Sequence, residues 1–160
     1  MTDQIYTDIL ICDIDDSLIK CDGMGPLCVR EDGSFDFEMY ADHFPEQETI
    51  EPILNLLLEV PDTTYIVILT SRSDIIRDQT EYDLKDRGVP YNELVMLPDG
   101  ITKLMNESNY KEYQTAFKKG VLDNLMEGDL KVKLVVDDLV PFNVYCSEQG
   151  ISVINPNSFL

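Results

Sequence analysis

The chain has 160 residues, of which 44% are hydrophobic, and its 31 acidic and 12 basic residues give a net charge of -19. This length and apolar content fit one globular domain with a single core and exclude wholesale disorder. A surface with this much negative charge repels nucleic-acid backbones and anionic membranes. We therefore expect no extended nucleic-acid groove and no membrane partner.

The amino-terminal segment and the cysteines indicate the cellular compartment of the protein. The first residues, MTDQIYTD, lack the basic stretch of a signal peptide, and the longest apolar runs are too short to span a bilayer. Cys12, Cys21, Cys28 and Cys146 form no CxxC pair, and His43 has no partner at zinc-ligand spacing. We therefore expect a cytoplasmic protein with reduced thiols.

Apolar runs alternate with helical periodicities along the whole chain. In chain order, the first predicted elements are a strand over residues 5–13, a helix over 46–60, a strand over 65–70 and a helix over 74–87. They are followed by a strand over 94–97, a helix over 109–126, a strand over 132–136, a helix over 141–149 and a strand over 151–154.

Strands that are apolar on both faces and separated by helices are typical of a parallel sheet covered on both sides. We predict an α/β fold, a Rossmann-like parallel sheet of about five strands with helices on both faces, as one domain over residues 1–160. Residues 19–44 are rich in Gly, Asp and Pro and predict a loop or small hairpin insertion, and residues 98–108 predict a second loop. Neither loop is long enough for a large cap domain.

Polar and charged residues follow three of the predicted strands. They are Asp13, Asp15, Thr70, Ser71, Arg72, Asp137 and Asp138. Taken singly, each could be a turn or helix-capping residue. Together they favour a functional site, because ligands of such folds bind beyond the carboxyl ends of the strands. Clustered carboxylates need a cation to offset their repulsion, and hard oxygen ligands suit Mg²⁺.

A lysine on the helix before the fourth strand is a candidate for the same site. Lys118 and Lys119 are adjacent, and at about 100° per residue Lys118 falls at the edge of the apolar face whereas Lys119 falls nearly opposite it. We therefore favour Lys118, with Lys103 as a third candidate. The alternative is that Lys118 is a solvated residue beside the apolar stripe.

The order of these motifs resembles that of the haloacid dehalogenase (HAD) superfamily of phosphatases. ILICDIDDS is similar to its first motif, IVILTS to its second, the helical lysine to its third and KLVVDD to its fourth. Within the superfamily, DIDDSL, GMGP, TSR, DRGVP and GISVINPNSF are most similar to the phosphatase domain of phage polynucleotide kinase/phosphatase. Met24 departs from that pattern at an arginine position, and Gln114 departs at an aspartate position.

The resemblance implies a Mg²⁺-dependent phosphomonoesterase that works through an aspartyl-phosphate intermediate. It implies Asp13 as the nucleophile, Asp15 as the general acid and base, and Thr70 and Lys118 as further catalytic residues. It implies Ser71 and Arg72 as substrate-binding residues. The metal ligands it implies are Asp13, the backbone carbonyl of Asp15, and either Asp137 or Asp138.

The substrate inferred from the resemblance is a nucleic-acid 3′-phosphate end or a nucleotide, and the alternative is another small phosphometabolite. Two other classes of protein compete with the phosphatase. A signalling receiver domain has a similar acidic pocket, but its phosphoacceptor follows the third strand, which here ends in Leu97-Pro98 without an acid. A non-catalytic binding module is supported only by the departures at Met24 and Gln114.

Overall fold

A five-stranded, entirely parallel sheet forms the centre of the computed structural model, which describes residues 4–21 and 28–159. Its strands are β1 (Asp8–Cys12), β2 (Thr64–Ser73), β3 (Glu93–Leu97), β4 (Lys131–Val136) and β5 (Ser152–Ile154). They lie in the order β3-β2-β1-β4-β5, so β1 is central and is flanked by β2 and β4. The predicted parallel α/β sheet of about five strands is confirmed.

The helices of the described residues connect the strands. The α-helices are α1 (Phe37–Asp42), α2 (Glu51–Glu59), α3 (Arg77–Asp86), α4 (Asp99–Thr102), α5 (Tyr110–Met126) and α6 (Val140–Glu148). Short 3₁₀ helices cover Phe44–Glu46, Asp74–Ile76 and Pro156–Phe159. None of the described helices is both long enough and apolar enough to cross a membrane.

The side chains of the strands alternate between two hydrophobic clusters, one on each face of the sheet. In β1, Leu10 and Cys12 pack in the cluster that includes Leu57 of α2 and Leu84 of α3. Ile9 and Ile11 pack in the other cluster, with residues from α5 and α6 such as Leu122 and Phe142. Because successive strand residues point to opposite faces, a strand apolar at every position must be covered on both sides. The predicted helices on both faces are therefore confirmed.

The insertion predicted over residues 19–44 as a loop or small hairpin also contains a helix. Val29 and Phe35 form an antiparallel bridge around a turn, and helix α1 follows, with the Asp36 side chain accepting a hydrogen bond from Met39 N at 3.0 Å. A six-residue helix is too short for its apolar period to be recognised in the sequence. Met24, one of the two departures noted above, lies outside the described residues.

The helix predicted over residues 46–60 begins later, at Glu51. Residues 48–50 instead pair with residues 18–20, since Lys20 N donates to Glu48 O at 2.8 Å and Ile50 N donates to Leu18 O at 2.8 Å. The second predicted loop also contains a helix, the short α4. Strand β2 extends three residues beyond its predicted end at Thr70, with an irregular register against β3 between Thr70 and Ser73.

Candidate active site

A tight turn after β1 sets the direction of the first two candidate acids. The carbonyl oxygen of Ile14 accepts hydrogen bonds from the backbone N–H groups of Ser17, Leu18 and Ile19 at 2.8–3.1 Å. Asp16 adopts the left-handed conformation, with φ of 60°, and its carboxylate accepts from Cys21 N at 2.9 Å. Aspartate tolerates this conformation better than most residues because its short polar side chain can bond the local backbone, as it does here.

Three carboxylates converge where β1 and β4 end side by side. Carboxylate oxygens of Asp13, Asp137 and Asp138 all lie within 4.8 Å of one another. Asp13 is 5% exposed and Asp137 is 1% exposed, whereas Asp138 is half-buried and lines an open cavity. The parallel sheet therefore brings together acids that are more than a hundred residues apart in the sequence.

Lys118 of α5 lies within this carboxylate cluster. Its side-chain nitrogen donates to Asp137 Oδ2 at 2.6 Å and lies 3.1 Å from Asp13 Oδ1, and the residue is only 2% exposed. Burial alone would lower the pKa of Lys118, but the charges of Asp13 and Asp137 raise it above its ordinary value. The lysine is therefore held as an ammonium group.

The two alternative lysines are placed elsewhere. Lys119 Nζ lies over the ring of Tyr145, 5.0 Å from its centroid, and Lys103 forms an exposed ion pair with Asp99 at 3.0 Å. Of the three lysines considered from the sequence, the structure brings only Lys118 to the candidate acids.

The charges of the cluster do not balance. Asp13, Asp137 and Asp138 carry three negative charges when ionised, and among the described residues Lys118 supplies the one positive charge in contact with them. Burial, followed by repulsion from Asp137, raises the pKa of Asp13 well above its usual range, and burial also raises the pKa of Asp138. A divalent cation with a preference for oxygen ligands fits this set of residues.

Asp15 points to a different set of partners. Arg72 Nε donates to Asp15 Oδ2 at 3.0 Å, Arg72 Nη2 donates to Asp15 Oδ1 at 2.9 Å, and the hydroxyl of Tyr40 donates to the same Oδ1 at 2.7 Å. Burial alone would raise the pKa of Asp15, but the charge and hydrogen bonds of Arg72 lower it overall. Asp15 is thus held ionised and in a fixed orientation at the edge of the cavity.

Arg72, which is predicted to bind the substrate, is not among the residues that line the cavity. Its guanidinium is buried, with 1% of the residue exposed, and lies over the ring of Phe44 at 3.8 Å from the centroid. Its Nε and Nη2 both donate to Asp15 and hold that carboxylate in position, while its buried Nη1 has no hydrogen-bond partner among the described residues.

The two hydroxyl residues at the end of β2 differ in their surroundings. Thr70 is fully buried, and its Oγ1 accepts a hydrogen bond from Arg72 N at 3.1 Å. Ser71 lines the cavity, and its buried Oγ has no hydrogen-bond partner among the described residues. A buried hydroxyl without a partner costs free energy, which a ligand oxygen in the cavity would recover.

The cavity has a volume of about 720 Å³ and lies between the strand ends and the insertion. Gln114 of α5 lines it, together with the charged residues Asp13, Asp15, Asp16, Glu107, Lys111, Lys118 and Asp138. The apolar and aromatic side of its lining includes Val29, Phe35, Phe37, Tyr40, Met105 and Tyr110. Sequence reasoning missed this apolar side, although Phe35, Phe37 and Tyr40 are three aromatic residues within six positions of the polar insertion.

Comparisons with known proteins identify the fold. No protein-family model matches the chain, and no curated protein matches it. Part of the Pnkp1/Rnl/Hen1 complex matches with a TM-score of 0.68 and 17% sequence identity, over 96% of this chain and 47% of that chain. A structure of the Pnkp1/Rnl/Hen1 RNA repair complex matches with a TM-score of 0.64 and 16% identity, over 96% of this chain and 44% of that chain.

The HAD domain of the effector protein Lem4 from Legionella pneumophila, an inactive mutant, matches with a TM-score of 0.52 and 15% identity. That match covers 94% of this chain and 85% of the other. The chain spans less than half the length of the matched chains in the two Pnkp1/Rnl/Hen1 structures. The fold is HAD-like, as the motif order in the sequence predicted.

Proposed function

We propose that the protein is a Mg²⁺-dependent phosphomonoesterase in which Asp13 is the nucleophile. The observation that carries this proposal is the buried contact of Lys118 with both Asp13 and Asp137, beside Asp138, at the ends of β1 and β4. A purely structural ion pair would need one carboxylate for one ammonium. Three carboxylates around one lysine, open to a cavity, are instead suited to binding a cation and a phosphoryl group.

Asp13 and Asp138 are the proposed side-chain ligands of Mg²⁺, together with the backbone carbonyl of Asp15. Both carboxylate oxygens of Asp137 already have partners, since Oδ1 accepts from Leu139 N at 2.9 Å and Oδ2 accepts from Lys118. Asp137 also does not line the cavity, so we assign it to positioning Lys118, whereas Asp138 lines the cavity beside Asp13 and is the better ligand. Bound there, Mg²⁺ would offset the negative charges of the nucleophile and the substrate, so that one anion can approach the other.

The proposed chemistry has two steps. In the first, a carboxylate oxygen of Asp13 forms a bond to phosphorus while the bond from phosphorus to the leaving oxygen breaks, and Asp15 gives its proton to that oxygen. In the second, water attacks the aspartyl-phosphate, Asp15 takes the proton of the water, and the bond between Asp13 and phosphorus breaks to release phosphate. Lys118 and the hydroxyl groups of Thr70 and Ser71 donate to the phosphoryl oxygens and stabilise their charge.

The environment of Asp15 favours its role as a general base over its role as a general acid. Arg72 and Tyr40 hold its carboxylate ionised and in place, which is the state needed to accept a proton from water. For the first step Asp15 must carry a proton, and the negative charge of an incoming phosphoryl group favours that protonation. We therefore assign Arg72 and Tyr40 as positioning residues for Asp15.

A nucleic-acid 3′-phosphate end or a nucleotide is the substrate we propose. The similarity to part of an RNA repair complex and the open cavity support this choice. The net charge of -19 favours a substrate held through few phosphates. Another small phosphometabolite is the second candidate, because the same charge would also suit a small ligand.

Turnover of a panel of phosphomonoesters, with and without Mg²⁺, tests the proposal. The panel should include p-nitrophenyl phosphate, sugar phosphates, and 3′- and 5′-phosphorylated nucleotides. Asp13→Asn should abolish turnover without unfolding the protein, since an amide is neither a nucleophile nor an anionic ligand. Asp129→Asn, a change at an exposed acid, is the matched control and should keep full activity. Activity of Asp13→Asn above about one per cent would contradict the assignment of the nucleophile.

A further inference from the structure

Three aromatic residues that line the cavity lie close to one another. The ring of Phe35 lies 5.6 Å from that of Tyr110 in an edge-to-face arrangement at 81°, and 6.2 Å from that of Phe37. Phe35 and Phe37 belong to the insertion and Tyr110 begins α5. Two separate segments of the chain therefore contribute rings to one surface, which we call the aromatic wall.

The aromatic wall is not part of the hydrophobic core. Phe35 and Tyr110 belong to neither of the two core clusters, and all three rings are only partly buried. Only Phe37 packs against the edge of a core cluster. Ligand pockets are lined mainly by hydrophobic and aromatic side chains, so partly exposed rings within a concave site are suited to contact a ligand.

The shape and charge of the cavity narrow the class of ligand. A cavity of about 720 Å³ is in the range that holds a small organic ligand. A ligand that spans it must present a phosphoryl group to Asp13 and Lys118 and a planar, apolar surface to the aromatic wall. A nucleobase attached through its sugar to a phosphate has both features, and stacking on aromatic side chains needs no positive charge. This route to affinity suits a protein with a net charge of -19.

From this geometry we infer that Phe35, Phe37 and Tyr110 form a stacking platform for the nucleobase of the nucleotide whose phosphate is removed. The inference rests on the proposed phosphatase function and adds the recognition of the leaving group. Because every base has a flat face, the platform selects nucleotides over sugar phosphates without selecting strongly among bases.

A pair of substrates that release phosphate from the same 3′-position of the sugar ring, one with and one without a base, isolates the platform. Thymidine 3′-monophosphate carries a base, and 1,2-dideoxyribose 3-phosphate, which has no aldehyde and so does not lose phosphate by β-elimination, does not. The wild-type protein should have a kcat/KM at least about tenfold higher for the substrate with the base. In Phe35→Ala and Tyr110→Ala this ratio should fall towards one, because the loss on the substrate with the base exceeds the loss on the abasic one.

Two further variants separate stacking from packing. Phe35→Leu retains an apolar side chain and should keep the melting temperature near that of the wild type while the ratio still falls. Tyr82→Ala, at an exposed ring outside the cavity, should leave the ratio and both rates unchanged.

The outcomes distinguish this inference from the proposed function. Good turnover of p-nitrophenyl phosphate with equal kcat/KM for the two deoxyribose substrates would overturn the platform and leave the phosphatase standing. A fall of equal size on both substrates in Phe35→Leu and Tyr110→Ala would assign the rings a structural role and overturn the platform as well. No turnover of any phosphomonoester would remove the proposed function, and with it the inference.

Discussion

Tyr40 takes no direct part in the proposed reaction but contacts Asp15, which does. Tyr40 is buried, and its hydroxyl donates to the carboxylate that we assign as the general acid and base. Cys21 Sγ lies 3.0 Å from the same hydroxyl, and Gln47 Nε2 donates to it at 3.4 Å. These contacts fix the position of the hydroxyl, so Tyr40 restrains Asp15 together with Arg72.

The consequence can be measured by changing the leaving group. Tyr40→Phe should lower kcat/KM for a nucleoside 3′-phosphate by about tenfold or more, because its alkoxide leaving group needs a well-placed proton. The loss on p-nitrophenyl phosphate should be much smaller, since p-nitrophenolate leaves without protonation. Tyr65→Phe, which removes a hydroxyl bound to Glu93 at the surface, is the matched control and should change neither rate. An equal loss on both substrates in Tyr40→Phe would contradict the positioning role.

Residue types at strand ends could be predicted from the sequence, whereas the direction of each side chain could not. The acids after β1 and β4 were predicted because a parallel sheet brings its strand ends together. Arg72 and Ser71 were both expected at the substrate, but β2 continues to Ser73 with an irregular register, and Arg72 is directed to Asp15. An irregular register depends on the neighbouring strand, so the sequence of β2 alone does not reveal it.

At the scale of elements, α5 determines which lysine reaches the acids. Its 17 residues pack one face against the sheet, so adjacent lysines must point in different directions. The helical period therefore sufficed to separate Lys118 from Lys119. The insertion was harder to predict, because α1 has only six residues and the ring of Phe35, just before it, contacts Tyr110 of the distant helix α5.

Paired variants on α5 test this assignment. Lys118→Met should reduce kcat by about a hundredfold or more, because it removes the donor nearest the nucleophile. It should also lower the stability of the metal-free protein by about 3 kcal/mol, since Asp13 and Asp137 lose their buried counter-charge. Lys119→Met should be close to wild type in both respects. Steady-state kinetics and urea unfolding measure the two effects, and the opposite ranking of the two variants would contradict the placement of Lys118.

Arg87, the residue directly after helix α3, joins that helix to the chain before α2. Arg87 Nε donates to Asp83 Oδ1 at 2.9 Å, Nη1 donates to Thr49 Oγ1 at 2.8 Å and Nη2 donates to Phe44 O at 2.7 Å. Phe44 in turn lies against the guanidinium of Arg72. The stability of this side of the site therefore depends on a buried ion pair well away from the carboxylate cluster.

Arg87→Ala should destabilise the protein by about 3 kcal/mol, because it leaves Asp83 buried without its partner. Arg77 and Glu81 form an ion pair of the same spacing on the same helix, with 40% and 46% of the two side chains exposed, and Arg77 also donates to Leu94 O at 3.2 Å. Glu81→Ala, which removes this partly exposed pair and leaves the bond to Leu94, should therefore cost no more than about 1 kcal/mol. Urea unfolding of the two variants compares them directly, and equal losses would show that Arg87 contributes no more than a surface pair.

For the whole molecule, the excess of acidic residues makes stability depend on cations. Part of this dependence is general, since any salt screens a net charge of -19. The rest should be specific to Asp13, Asp137 and Asp138, whose mutual repulsion a divalent ion relieves. The specific contribution should saturate and should depend on single residues, whereas general screening should do neither.

Mg²⁺ should raise the melting temperature in a saturable manner at constant ionic strength, because it binds the folded state and not the unfolded chain. Asp138→Asn should lose most of this increase, whereas Asp129→Asn should keep it. Chelation should abolish turnover, and excess Ca²⁺ should inhibit it, because its looser coordination misplaces the carboxylate of Asp13. Differential scanning calorimetry measures the shift. A shift that is equal in all three proteins would indicate general screening and contradict a metal site.

Trapping the covalent intermediate tests the central claim most directly. The protein should be mixed with substrate and Mg²⁺, quenched in acid within the first turnovers, and treated with borohydride, which reduces an acyl phosphate but not a free carboxylate. Peptide mass spectrometry should then find a phosphoryl group on the peptide that contains Asp13 and, after reduction, homoserine at that position. Both signals should be absent from Asp13→Asn and from samples without Mg²⁺. Rapid turnover of substrate with no modification at Asp13, or with modification at another residue, would contradict the account.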